Sequence, residues 1–174
     1  MAQDKPEQGA NYIRNSIEQL LQNLEISRDD FRSPQGRGGS IAHQKVVAQL
    51  LDAWQQTRGF GKAKHGFQLS SEALGIDFVG REWGAGGIVV AVEVDTGHLA
   101  HSSWTKLCDI RTEYRVWVYL TRDENVAEEN FGESVGKIKL LLRERSERRA
   151  FFGELLAILK TPTKFEVETI CPVE

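Results

Sequence analysis

Cysteine is scarce in this chain, and long apolar runs are missing altogether. Its 174 residues include two cysteines, Cys108 and Cys171, far apart in sequence and each beside apolar neighbours. Two thiols are too few for a disulfide framework or a zinc site, so both are expected to be reduced core residues. No apolar run approaches the roughly 20 residues that cross a bilayer; the run at residues 88–92 is strand-sized. Residues 1–9 are polar and mixed in charge, without the apolar stretch of a secretory signal. These absences lead us to expect a cytoplasmic protein with no membrane partner. Internal repeats are lacking as well. Neither sign of charge dominates: 22 Lys+Arg against 25 Asp+Glu leave a net charge of −3. That balance excludes a wholly basic nucleic-acid coat protein but not an enzyme whose basic surface is local.

What remains is an ordinary globular composition, at 40% hydrophobic and 27% charged residues. The length suits one domain with a sizeable core. Residues 1–10 read as a disordered lead-in and residues 11–174 as a single domain. Ile13, Ile17, Leu20, Leu21 and Leu24 recur at helical spacing. A basic, glycine-containing loop follows with Arg28, Arg32 and Arg37, and Ser40 can cap a second helix whose face is Val46, Val47, Leu50, Leu51 and Trp54. A second basic loop carries Lys62, Lys64 and His65.

The periodicity then changes. Residues 67–69, 74–79 and 88–94 are strand-like, the last almost entirely β-branched as in a strand buried on both faces. Residues 80–87 read as the hairpin connection, 102–111 as a helix and 116–120 as another strand. Residues 135–159 read as one long helix or two joined near Ser146, ended by Pro162, before a last strand at 165–170. The expected order is α-α-β-β-β-α-β-α-β, an α/β or α+β domain around a mixed central sheet flanked by helices.

One stretch departs from this ordinary pattern. Asp77 interrupts the apolar run at 76–79, and Glu93 and Asp95 end the run at 89–95. Side chains alternate on a strand, so Glu93 and Asp95 share a face. Pairing of the two runs as a hairpin would bring Asp77 near Glu93. Clustered carboxylates repel unless protonation, a basic neighbour or a divalent cation compensates them. Oxygen ligands of this kind suit Mg²⁺ or Mn²⁺. A solvent-facing strand end is the bland alternative for each acid taken singly.

Gly75-Ile76-Asp77, followed after a hairpin connection by Val92-Glu93-Val94-Asp95, resembles the restriction-endonuclease-like nucleases of PD-(D/E)xK type. The resemblance spans roughly residues 40–121, leaving 122–174 as a C-terminal helical and strand addition. It implies a restriction-endonuclease-like core and a metal-dependent DNA endonuclease that hydrolyses phosphodiester bonds. It further implies Asp77 and Glu93 as ligands of Mg²⁺ (or Mn²⁺), with the Val94 carbonyl as a third. Asp95 stands where the family usually has its lysine. The resemblance therefore leaves Asp95 as an auxiliary acid, Lys106 on the next helix as the relocated catalytic lysine, or both. Gln44 falls where many members carry an acid. Cutting both strands of DNA would call for a homodimer.

Arg32, Arg37, Lys62 and Lys64 sit in loops able to approach a nucleic-acid backbone; the bland reading is that loops are simply polar. His43 falls on the apolar side of the second helix, where a histidine usually packs, with an auxiliary site role as the sharper reading. His98 and His101 lack a third partner for a transition metal. The basic run at 137–149 reads as a solvated face paired with the acidic segment before it. Trp104, Trp117 and Tyr119 read as core. Two other functions fit the same residues: an inactive nucleic-acid-binding or assembly module, and a metal-independent acid–base hydrolase using Glu93 and Asp95.

Overall fold

A computed structural model describes residues 6–33, 40–56, 64–68, 75–81, 88–96, 101–112, 114–146 and 154–171. Helix α1 (Pro6–Asn23) starts within the segment expected as a lead-in. Ile13, Ile17 and Leu21, four residues apart, are its buried stripe. A 3-10 turn, Arg28–Phe31, leads to helix α2 (Ile41–Gln56). Ser40 caps α2 as expected: its hydroxyl accepts the His43 N–H at 3.2 Å. Ala42, Val46, Val47 and Leu50 are the buried face of α2.

Among the described residues six strands form one mixed sheet in sequential order: β1 (Lys64–Gln68), β2 (Gly75–Arg81), β3 (Ile88–Thr96), β4 (Tyr114–Leu120), β5 (Glu154–Lys160) and β6 (Phe165–Ile170). Strands β1, β2 and β3 pair antiparallel, β3, β4 and β5 parallel, and β6 antiparallel to β5. The parallel connections are made by helix α3 (His101–Asp109) and helix α4 (Ala127–Ser146). One core layer packs α1 and α2 on Val90, Val92 and Val94 of β3 and their neighbours. The other packs α3 and α4 on Ala91, Trp117, Tyr119 and Leu155. Covered on both faces, β3 and β4 are continuous apolar runs rather than alternating ones.

Two expectations are corrected. The long helix ends at Ser146, and residues 155–159, expected as its continuation, form the interior of β5. The unbroken run Leu155-Leu156-Ala157-Ile158-Leu159 is buried from both sides, which suits a central strand as well as a buried helix. Pro162 accordingly sits in the β5–β6 turn, and the segment after residue 122 completes the central sheet. Cys108 is a core residue, but Cys171 is exposed. The hairpin connection at 82–87 lies outside the described residues. Among the described residues no helix is long and apolar enough to cross a membrane.

Trp117 organises the α3–α4 layer. Its ring stacks with Tyr119 at 5.8 Å and Phe131 at 6.0 Å, and meets Trp104 edge-on at 5.7 Å. Arg115, also buried, donates to the carbonyls of Leu107 at 2.9 Å and Ile110 at 2.7 Å. Those carbonyls lie at and just past the end of α3, where a helix lacks internal donors. The arginine thus fixes the helix that carries Lys106.

Candidate active site

The β2–β3 ladder opens where the acids stand. Paired residues run from Arg81 and Ile88 to Phe78 and Val92. One further antiparallel step would set Asp77 opposite Glu93 and offer the Val94 N–H to the Ile76 carbonyl. That N–H donates instead to Asp77 Oδ2 at 2.9 Å. Asp77 thereby occupies the gap between the strands, and its Oδ1 lies 3.2 Å from His43 Nε2 of α2. The resemblance to the nuclease motif assigned no partner to this aspartate on α2.

Glu93 and Asp95 face α3 from one side of β3, as alternation requires. Lys106 Nζ stands 2.6 Å from Glu93 Oε1 and donates to the Gly75 carbonyl at 2.7 Å. The approach to Glu93 is close but poorly aligned, so this contact is an ion pair rather than a satisfied hydrogen bond. Asp95 has both oxygens engaged: Oδ1 accepts the Ser103 hydroxyl at 2.9 Å and Oδ2 accepts Trp117 Nε1 at 2.7 Å. Ser103 and Trp117 were not foreseen. Ser103 lies one helical turn before Lys106, a spacing that puts both on the same side of α3.

The electrostatics separate the three acids. Burial pushes Glu93 up, the charge on Asp77 adds to this, and Lys106 offsets only part, leaving a pKa of about 7. Burial also raises Asp95, and the donors Trp117 and Ser103 do not fully cancel it. Asp77 is pushed up by burial too, but His43, the Val94 N–H and Lys106 together outweigh that and lower it. His43 shows the converse: burial pulls it down, yet its bond to Asp77 and the nearby acids raise it on balance. The Cys108 thiol is pushed up to about 12 by burial, which suits a packing residue and not a nucleophile.

Among the described residues no three His, Cys, Asp or Glu side chains converge into a ready-made metal cage. Magnesium asks for less: it commonly binds through one or two carboxylates and keeps several waters. Asp77 and Glu93 are near enough to interact electrostatically, and the close neighbour of the buried Glu93 Oε1 is Lys106 Nζ. The N–H and C=O of a strand residue point to the same side, so the Val94 carbonyl also faces β2. The donor set is all oxygen and fits a hard divalent cation.

The basic residues are more dispersed. Arg32 is exposed and paired with Asp29 at 2.9 Å. Lys64 is the first residue of β1, while Arg37, Lys62 and His98 lie outside the described residues. Gln44 is on the exposed side of α2. On α4, Lys137 pairs with Glu133 of the acidic segment at 3.7 Å, whereas Arg145 pairs with Asp109 at 3.5 Å and Lys139 with Glu168, and residues 147–149 of the basic run lie outside the described residues. Trp104, Trp117 and Tyr119 are buried. Comparison of the chain with protein-family models, curated proteins and solved structures finds no match.

Proposed function

We propose that the chain is a metal-dependent DNA endonuclease with a restriction-endonuclease-like core, and that Asp77, Glu93 and Lys106 carry its chemistry. The observation that carries this reading is the ion pair between Lys106 and Glu93. It brings a lysine from α3 to the acid whose own strand offers Asp95 in the lysine's usual place. Asp77 and Glu93, with the Val94 carbonyl, would hold Mg²⁺ or Mn²⁺. A divalent cation there would polarise the scissile phosphate and make an attacking water more acidic. Lys106 would leave Glu93 for the phosphate, orienting it and offsetting charge in the transition state. His43 would hold Asp77 in the strand gap. Asp95, bonded by Ser103 and Trp117, supports the strand end more than it supports a direct step.

The test is cleavage of duplex and single-stranded DNA with Mg²⁺ or Mn²⁺. Cleavage should be lost in chelator and reduced at least about 100-fold in Asp77→Ala, Glu93→Ala and Lys106→Met. Turnover that survives chelator would favour the acid–base hydrolase. One observation favours an inactive binding module: each acid already has a partner within the protein. DNA binding without cleavage under any divalent ion would select it. Sedimentation with and without DNA reports whether cutting involves a homodimer.

A further inference from the structure

The helix layer opposite α3 holds a second concavity that the proposed hydrolysis does not use. It has a volume of about 590 Å³ and opens between the end of α1, the 3-10 turn and the β5–β6 connection. Lys160, the last residue of β5, stands in its wall and is only 8% exposed. Its Nζ donates to the Gln22 carbonyl at 3.0 Å and lies 5.6 Å from the centre of the Phe165 ring. An ammonium has three donors, and Gln22 uses one. Among the described residues no carboxylate forms an ion pair with Lys160, and burial alone lowers its pKa. A buried, unpaired lysine is rare because the desolvation of its charge is not offset.

The other charges of the wall are already matched. Lys45 pairs with Asp30 at 2.8 Å, and Asp30 also accepts the Ser27 N–H at 2.7 Å and hydroxyl at 3.0 Å. Lys164 pairs with Glu128 across an exposed surface, so its amine can turn inward at little cost. Glu25, the remaining acid of the wall, is exposed. Apolar surface from Leu24 and Phe165 completes the concavity. Its volume falls in the range that takes small organic ligands and exceeds what a bare ion fills.

Position sets the concavity apart from the acids. The strands β3, β4 and β5 end in register at Thr96, Leu120 and Lys160. Lys160 therefore lies on the same carboxyl edge as Glu93 and Asp95, two strand spacings or roughly 10 Å away along the sheet, with its side chain on the opposite face.

We infer that this concavity binds the phosphate group of a nucleotide or of a nucleic-acid strand, with Lys160 as the buried cation. Lys164 is the second cation, which a phosphate dianion engages and a single carboxylate does not. Leu24 and Phe165 receive the sugar or base. The site stands whether or not Asp77 and Glu93 hydrolyse anything.

Calorimetric titration in EDTA removes metal-dependent binding at the acids. Thymidine monophosphate, thymidine, acetate and a short oligothymidylate are compared on the whole chain. The monophosphate or the oligonucleotide should bind, thymidine and acetate should not, and Lys160→Met should weaken binding about ten-fold or more. Asp77→Ala should leave it unchanged. Binding of the monophosphate identifies a free nucleotide as ligand, and binding of the oligonucleotide alone identifies a strand phosphate. Equal binding of thymidine, or of neither phosphate ligand, overturns the inference. Should Lys160→Met not fold, the Phe165 ring protons of the wild-type chain decide: they must shift on titration with the ligand that binds, and unshifted resonances at saturation overturn the site.

Discussion

Lys106 Nζ stands 2.6 Å from Glu93 Oε1, joining a helix of one layer to the most buried acid of the sheet. The contact crosses 13 positions of sequence, from β3 to α3. It makes the lysine both a stabiliser of the unloaded fold and a candidate catalytic group, and the two roles separate by experiment.

Removing the lysine leaves a buried carboxylate without its cation. Breaking such a pair from one side costs about 3 kcal/mol or more. Lys106→Met should therefore lower stability at pH 8, where the acid left behind must either ionise unpaired or take up a proton that the wild-type carboxylate has largely released. At pH 5 the acid keeps its proton and the loss should shrink. The double variant Glu93→Gln/Lys106→Met should recover most of the loss at pH 8. Urea unfolding at both pH values reads all three expectations. Equal losses at pH 5 and pH 8 would show that Lys106 acts through packing alone.

Glu93 also makes stability depend on pH in a definite direction. Its folded pKa of about 7 exceeds the ordinary value of 4.5. The folded state thus binds more protons than the unfolded one between those limits, and stability falls as pH rises through them. The full effect is on the order of 3 kcal/mol. Glu93→Gln should unfold with a flatter pH profile in chelator and be the more stable protein at pH 8. Other acids titrate alike in both proteins, so the difference between the two urea midpoints isolates Glu93. Parallel profiles would remove this linkage, and saturating Mg²⁺ should narrow the gap by stabilising the ionised wild type.

Much of this arrangement could be read before the fold was known, and the exceptions have physical causes. The β-branched composition of β3 and the helical apolar spacing of α2 identify their elements directly. The acids Asp77, Glu93 and Asp95 stand out because they interrupt apolar strands. Strand β5 was hidden: a short run buried on both faces has no period to separate it from the helix preceding it. Lys160 was hidden with it. The Asp95–Trp117 bond depends on the parallel register of β3 and β4, in which Asp95 sits beside Tyr119. No local pattern reports such a pairing. His43 was visible as an odd residue on an apolar face, but its partner follows only from the opening of the β2–β3 ladder.

His43 changes stability with pH in the same direction as Glu93, and its partner Asp77 in the opposite one. The pairing raises His43 and lowers Asp77, so its stabilisation is present below the raised histidine pKa and fades as pH climbs through it. His43→Ala should cost about 1–3 kcal/mol at pH 6 and less at pH 9. A metal on Asp77 competes with the imidazolium. Saturating Mg²⁺ should therefore lower the His43 pKa, followed through its ring proton resonances. A pKa indifferent to Mg²⁺ would place the cation away from Asp77.

Asp95 separates support from chemistry. Its two oxygens accept the Ser103 hydroxyl and the Trp117 indole N–H, in the stacked aromatic layer. Asp95→Ala leaves the buried indole donor without its acceptor, and an unmade bond of that kind costs about 1–3 kcal/mol. Asp95→Asn keeps the volume but turns one acceptor into a donor, so it should recover only part of the loss. Trp117→Phe removes the donor, and in its background Asp95→Asn should cost markedly less. The comparison is a double-mutant cycle read by urea unfolding. Metal-dependent cleavage measured on the same four proteins completes the assignment. If Asp95 only supports the strand end, Asp95→Asn should keep cleavage within about ten-fold of the parent under conditions where both are folded. A larger loss would place Asp95 with Asp77 and Glu93 in the proposed reacting cluster.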